Sequence, residues 1–133
     1  MKMKKMVPII TTDEFDGVKA FFEEYFGFKT SFESPEYLGL TLGDQDNIEL
    51  AFMKPGCEGQ PSFNNQGLTY CFEVEDVDQE YSRLQKTDVT FLQPVQDNPW
   101  GDRSFIVSAP KGVAIYTYQA IPPKEEFKQY HKE

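Results

Sequence analysis

The chain has 133 residues, 39% hydrophobic and 15% aromatic, with 22 acidic against 13 basic side chains and a formal net charge of −9. That length and apolar content fit one folded domain able to bury roughly two-thirds of its unfolded surface, which excludes disorder for the body of the chain. The acidic balance repels phosphate backbones and anionic lipid, and no apolar run reaches the ~20 residues of a membrane span, so nucleic-acid and membrane partners are not expected and a cytoplasmic location is.

In chain order, Val7 to Thr12 is short, apolar and β-branched, and predicts a strand that stops where helical spacing begins at Asp13. Phe15, Val18, Phe21, Phe22, Tyr25 and Phe26 recur at intervals of three and four, which predicts a helix with one buried stripe. Thr12 or Asp13 is placed to cap its start, and Gly27 to end it in the left-handed conformation. Three strands are expected next, Phe28 to Glu33, Tyr37 to Leu42 and Ile48 to Met53, separated by turns at Ser34-Pro35 and Gly43 to Asn47.

The Pro- and Gly-bearing stretch Lys54 to Pro61 reads as a linker, after which the pattern restarts. Leu68 to Val74 predicts a strand. Asp76 with Gln79 three residues on forms a capping box for a helix whose buried stripe is Val77, Tyr81 and Leu84. Val89 to Val95, Arg103 to Ser108 and Val113 to Gln119 predict three more strands, divided by Gln96 to Gly101 and by Ala109-Pro110-Lys111-Gly112. Helix starts at Asp13 and Asp76 and equivalent fourth-strand residues at Ile48 and Ile115 mark two copies of one unit. The fold class expected is α+β: two βαβββ modules, 5–54 and 66–120, forming a curved mixed sheet around a shared cup with the helices outside. The domain is 1–121, followed by a charged tail at 122–133 with room for a short surface helix and with no function assigned. Cys57 and Cys71 lack CxxC spacing and read as free thiols.

Three stretches in order, Phe72-Glu73-Val74-Glu75-Asp76-Val77-Asp78, Pro99-Trp100-Gly101-Asp102-Arg103-Ser104-Phe105 and Ala109 to Tyr116, give the sequence a resemblance to the vicinal-oxygen-chelate superfamily, which includes glyoxalase I, bleomycin resistance proteins and extradiol dioxygenases. One departure is Ala109 where the family's turn carries Asp. The resemblance implies four ligand positions for a divalent ion, and these fall on Met6, Glu49, Thr69 and Tyr116, of which only Glu49 is a ligand type used by the family. His131, the single histidine, is expected in the tail far from these strands. No metal, no cofactor and no catalytic residue are therefore expected.

Strand alternation then sorts the side chains. Val7, Ile9, Leu38, Leu40, Leu42, Ile48, Leu50, Phe52, Tyr70, Phe72, Val74, Phe105, Val107, Val113 and Ile115 are expected under the helices. Met6, Pro8, Ile10, Tyr37, Thr41, Glu49, Ala51, Met53, Thr69, Cys71, Glu73, Ser104, Ile106, Ala114, Tyr116 and Tyr118 are expected to line the cup. The candidate ligand-binding residues are Tyr37, Glu49, Thr69, Cys71, Trp100, Arg103, Tyr116 and Tyr118, suited to a flat, partly polar or cationic molecule. Plainer readings stand beside these: Glu49 and Glu73 as structural acids paired with Arg103 or a lysine, Tyr37, Tyr116 and Tyr118 as filler between the halves, Cys71 as a small buried hydrophobe, and Trp100 as a lid over the core. The function expected is metal-independent binding of a small molecule such as an antibiotic, by a homodimer. The alternative is a metal-dependent, glyoxalase-like isomerase or lyase.

Overall fold

The computed structural model describes residues 1–43, 45–56, 62–64 and 67–132, with the side chains of 45–47 left aside. Cys57, the rest of the linker through Pro61, and Asp44 of the first long turn lie outside the described residues. The chain divides into two compact units, 1–64 and 65–133. Each holds one four-stranded mixed sheet, and the fold is α+β with a βαβββ order in both. No described helix is long and apolar enough to cross a membrane.

In the first unit the elements are β1 (Ile9–Thr11), α1 (Phe15–Phe26), β2 (Phe28–Glu33), β3 (Tyr37–Leu42) and β4 (Gln45–Met53), with the sheet ordered β1-β4-β3-β2. Only β1 pairs in parallel, Ile10 opposite Phe52. The stripe read from the sequence buries Val18, Phe21 and Phe22, and Phe22 meets the rings of Phe28 and Phe52 at 5.6 and 6.1 Å. Burying a Phe of this kind contributes roughly 1.5–3 kcal/mol, which is what fastens the helix to the sheet. Gly27 ends α1 at φ +72°, its N–H donating to the Phe22 carbonyl. The start differs from expectation: Glu14 is the capping residue, and the Thr12 hydroxyl accepts from the Glu14 N–H at 3.2 Å.

The second unit contains β5 (Thr69–Glu73), α2 (Val77–Gln85), β6 (Phe91–Asn98), β7 (Asp102–Ser108), β8 (Ala114–Ala120) and the four-residue α3 (Glu125–Lys128), with the sheet ordered β5-β8-β7-β6. Asp76 caps α2 by accepting from the Gln79 N–H at 3.1 Å. Val77 and Leu84 are buried, and Tyr81 packs its ring on Phe91 and Phe105 at 5.1 and 5.3 Å. β6 runs through Asn98, three residues past its expected end, leaving only Pro99, Trp100 and Gly101 as the hairpin loop. The turn that lost the family's Asp survives: Lys111 and Gly112 take φ of +67° and +75°, and the Ala109 N–H donates to Val113.

Alternation holds for most strands and fails in two places. In β1 the parity is reversed: Ile10 is buried under α1 and Ile9 is 47% exposed, because the parallel register puts Ile10 beside Phe52 and Ile9 beside Ala51. Ile48 and Leu42 are not in the core, since the β3–β4 register shifts between Thr41 and Leu42. Ala51 and Ser104 lie on the expected face, beside Ile9 and Tyr118, but are fully buried there by their neighbours and line no open surface.

Candidate functional site

In each unit one sheet face lies under the helix and the other is the far face. In the first unit the far face carries Glu49, Tyr37, Ile9 and Phe32, with Phe32 and Tyr37 in edge-to-face contact at 5.8 Å. Glu49 forms an ion pair with Lys5 at 2.5 Å, so of its two readings the paired acid is the one seen, with Lys5 as the partner. At Gly39 a Cβ would crowd the Ser31 hydroxyl oxygen at 3.1 Å and touch the Glu49 carboxylate only at an ordinary contact distance of 3.6 Å.

In the second unit the register brings Cys71 beside Tyr116, and Glu73 beside Tyr118, which is beside Ser104. Cys71, Glu73, Tyr116 and Tyr118, together with Trp100 and Asp102, line an open concavity of about 520 Å³ on the far face, with Ser104 buried beneath it. Thr69 shares this face, opposite Ala114 at the start of β5, and is exposed. Cys71 is exposed, not a buried hydrophobe, because β5 is an edge strand and the thiol points away from α2.

Asp102 is the hub. Its carboxylate accepts from the Asn98 amide at 2.7 Å, the Trp100 indole N–H at 3.1 Å and the Tyr116 hydroxyl at 2.8 Å. Asn98, only 4% exposed, also donates to the Ser104 hydroxyl at 2.8 Å and accepts from the Gln96 amide. Such a network fixes ring orientations, since a carboxylate at its centre strengthens every bond made to it. The Tyr116 phenol is pushed above its ordinary range, first by burial. Tyr118 shifts the same way, by burial and then by Glu73, to which it donates at 3.3 Å. Their rings lie 6.0 Å apart. Both phenols are neutral donors at physiological pH.

Arg103 does not join this set. It points to the opposite face, where its guanidinium binds Asp78 of α2 and Asp97 of β6, each at 2.9 Å, and these two carboxylates hold it firmly protonated. Sequence reasoning missed Asp102 and Asn98, hidden inside a stretch that reads as a turn. His131 is a correction: it stands beside Trp100 and lines the same concavity, its Nε2–H donating to the Trp100 carbonyl at 2.6 Å.

The divalent ion implied by the family resemblance meets poor donors. Met6 is a thioether, 73% exposed; Thr69 offers a neutral hydroxyl; Tyr116 keeps its proton and directs it at Asp102; Glu49 is held by Lys5. Among the described residues no group of three or more His, Cys, Asp or Glu is arranged to hold a metal. These side chains do not fit a resident divalent ion.

A family model described as the Glyoxalase/Bleomycin resistance protein/Dioxygenase superfamily matches residues 6–116. Among solved structures, a glyoxalase/bleomycin resistance protein/dioxygenase from Nocardioides is similar at a TM-score of 0.75 and 17% identity, covering 91% of this chain and 85% of that one. UcmS2 is similar at 0.72 and 20%, covering 89% and 98%. TnmS3, an antibiotic binding protein from Streptomyces sp. CB03234, is similar at 0.69 and 22%, covering 90% and 97%. At these identities the likeness is one of fold. No curated protein matches the sequence.

Proposed function

We propose, for a chain that belongs to the Glyoxalase/Bleomycin resistance protein/Dioxygenase superfamily, that it binds a small aromatic, cationic molecule on the far face of its second unit without a metal ion. The observation that carries this reading is the state of the donors around Asp102. The Trp100 indole and the Tyr116 and Tyr118 hydroxyls all direct their protons at Asp102 or Glu73, leaving a guest little but acceptor lone pairs and ring faces. Two carboxylates and the rings of Trp100, Tyr116, Tyr118 and His131 line the concavity, and among the described residues no lysine or arginine does. A planar guest that brings its own N–H donors and a positive charge is complementary to that wall, through stacking and through charge-assisted hydrogen bonds. A guest carboxylate meets like charge and, among the described lining residues, only the weak thiol donor of Cys71. The fold likeness to TnmS3, described as an antibiotic binding protein, supports binding as the role and antibiotics as compounds to test.

Trp100 is the only tryptophan, 45% exposed, so its emission reports on this one place. Titration with aryl amidines and other planar cations, glycopeptide-type antibiotics and matched aryl carboxylates is expected to change the emission with the cations and not with the carboxylates. Trp100→Ala is expected to weaken the best ligand about fivefold, measured by calorimetry, as loss of roughly 1 kcal/mol of stacking implies. Equal affinity for amidine and carboxylate, or binding that ignores Trp100, refutes the reading.

A further inference from the structure

The C-terminal segment, which the sequence leaves without a role, is built into the loop that carries Trp100. The Ile121 N–H donates to the Gly101 carbonyl at 2.9 Å and the Lys124 N–H to the Pro99 carbonyl at 2.8 Å. With the His131 ring on the Trp100 carbonyl at 2.6 Å, all three carbonyls of the hairpin loop are taken by one segment. Gly101 is fitted to this contact. A Cβ there would lie 3.3 Å from both the Ile121 carbonyl oxygen and the Pro123 Cβ and 3.5 Å from the His131 ring, at a φ of +124° that side chains rarely adopt. Because a carbonyl only accepts, Nε2 carries the proton and the ring orientation is set by that bond.

We propose, on the reading of the concavity as a ligand site, that the segment from Ile121 to His131 is the brace of the loop that carries Trp100 and that His131, the one residue of the segment in the lining, is the positioning residue that holds the Trp100 indole over the site. The indole is fastened from both sides: its ring N–H to Asp102, its own backbone carbonyl to His131. A three-residue loop fixed at all three carbonyls has little freedom to lose on binding, so stacking on Trp100 is obtained at low entropic cost. Freed from the segment, the loop moves and the stacking partner must be ordered by the ligand itself.

The test uses the full chain with His131→Ala, His131→Gln and Gly101→Ala. Acrylamide quenching and the emission maximum of Trp100 are read without ligand, and the affinity of an aryl amidine is read by calorimetry. His131→Ala is expected to steepen quenching, shift emission to the red and weaken the amidine about fivefold. His131→Gln, which keeps a donor for the Trp100 carbonyl, is expected to restore much of both. Gly101→Ala, which pushes a methyl into the segment, is expected to reproduce the loss, and a thermal melt of each variant separates this from unfolding. If wild-type protein binds the amidine and His131→Ala neither exposes the indole nor weakens binding, the positioning role is overturned alone. Exposure of the indole with unchanged affinity overturns it equally. If wild-type protein binds no probe, the reading of the site fails and takes this proposal with it.

Discussion

Asn98 shows how one buried amide can organise a binding surface. It sits at the end of β6, 4% exposed, and its two amide protons go to Asp102 and Ser104. Asn98→Ala removes both donors and leaves a carboxylate and a buried hydroxyl short of partners, so a loss of about 2–3 kcal/mol of stability is expected from urea denaturation, more than the ~1 kcal/mol of an average hydrogen bond. The phenols give a second measurement at this scale. Tyr70 is pushed above its ordinary range by burial, as Tyr116 and Tyr118 are. A raised phenol holds its proton more tightly folded than unfolded. Its contribution to stability is therefore fully present below the unfolded value of about 10 and is lost as pH rises through the higher folded value. Ultraviolet absorbance of the native protein is expected to show delayed tyrosinate formation, with the denaturation midpoint falling as pH rises above about 10.

At the scale of elements, α1 offers the same substitution with opposite signs. Gly27 and Gly17 both have open space where a Cβ would go, so only backbone conformation separates them. Gly27→Ala forces a side chain into φ +72° and is expected to cost about 1–2 kcal/mol. Gly17→Ala, inside the helix, is expected to stabilise by up to about 1 kcal/mol. Urea midpoints at unchanged slope check both. Elements with long periodic runs were legible: α1, β2 and β3 lie where spacing and turn residues put them, and Gly27 and Asp76 do the work their residue types imply. β1 was not, because three residues following a proline are too few for alternation to choose a face, and the choice belongs to the register with β4. The end of β6 was hidden because Asn98 has turn chemistry while its pairing with Asp102 keeps it in the strand. Tyr116 and Tyr118 were placed on one face by alternation alone. His131 was beyond reach: its position depends on backbone contacts between the tail and the loop at 99–101, and carbonyls carry no sequence signature.

For the whole molecule we expect a homodimer. Each sheet ends in strands with only one partner, β1 and β2 in the first unit and β5 and β6 in the second. Ile9 and Phe32 in the first unit, and Leu92 in the second, leave large apolar side chains 47% exposed or more. Edges and apolar faces of this kind are commonly covered by a symmetric copy. Sedimentation velocity is expected to give twice the chain mass at micromolar concentration; a stable monomer over that range counts against it.

The parallel pairing that closes each sheet has a kinetic consequence. Ile9 meets Ala51 and Thr69 meets Ala114, so in both units the first strand is held by the last, with the helix and two strands in between. Neither sheet can be completed by local hairpins. Its final edge waits for a long loop to close, and that search entropy is lost before the contact returns anything. Each unit is thus expected to fold as a meander first and to gain β1 or β5 last. During synthesis the N-terminal strand emerges early and stays unpaired until β4 arrives, with the apolar Val7 to Ile10 run exposed in the meantime. Hydrogen-exchange labelling during refolding would read this directly, as late protection at Ile10 and Phe72, whose N–H groups face β4 and β8, and early protection across β3.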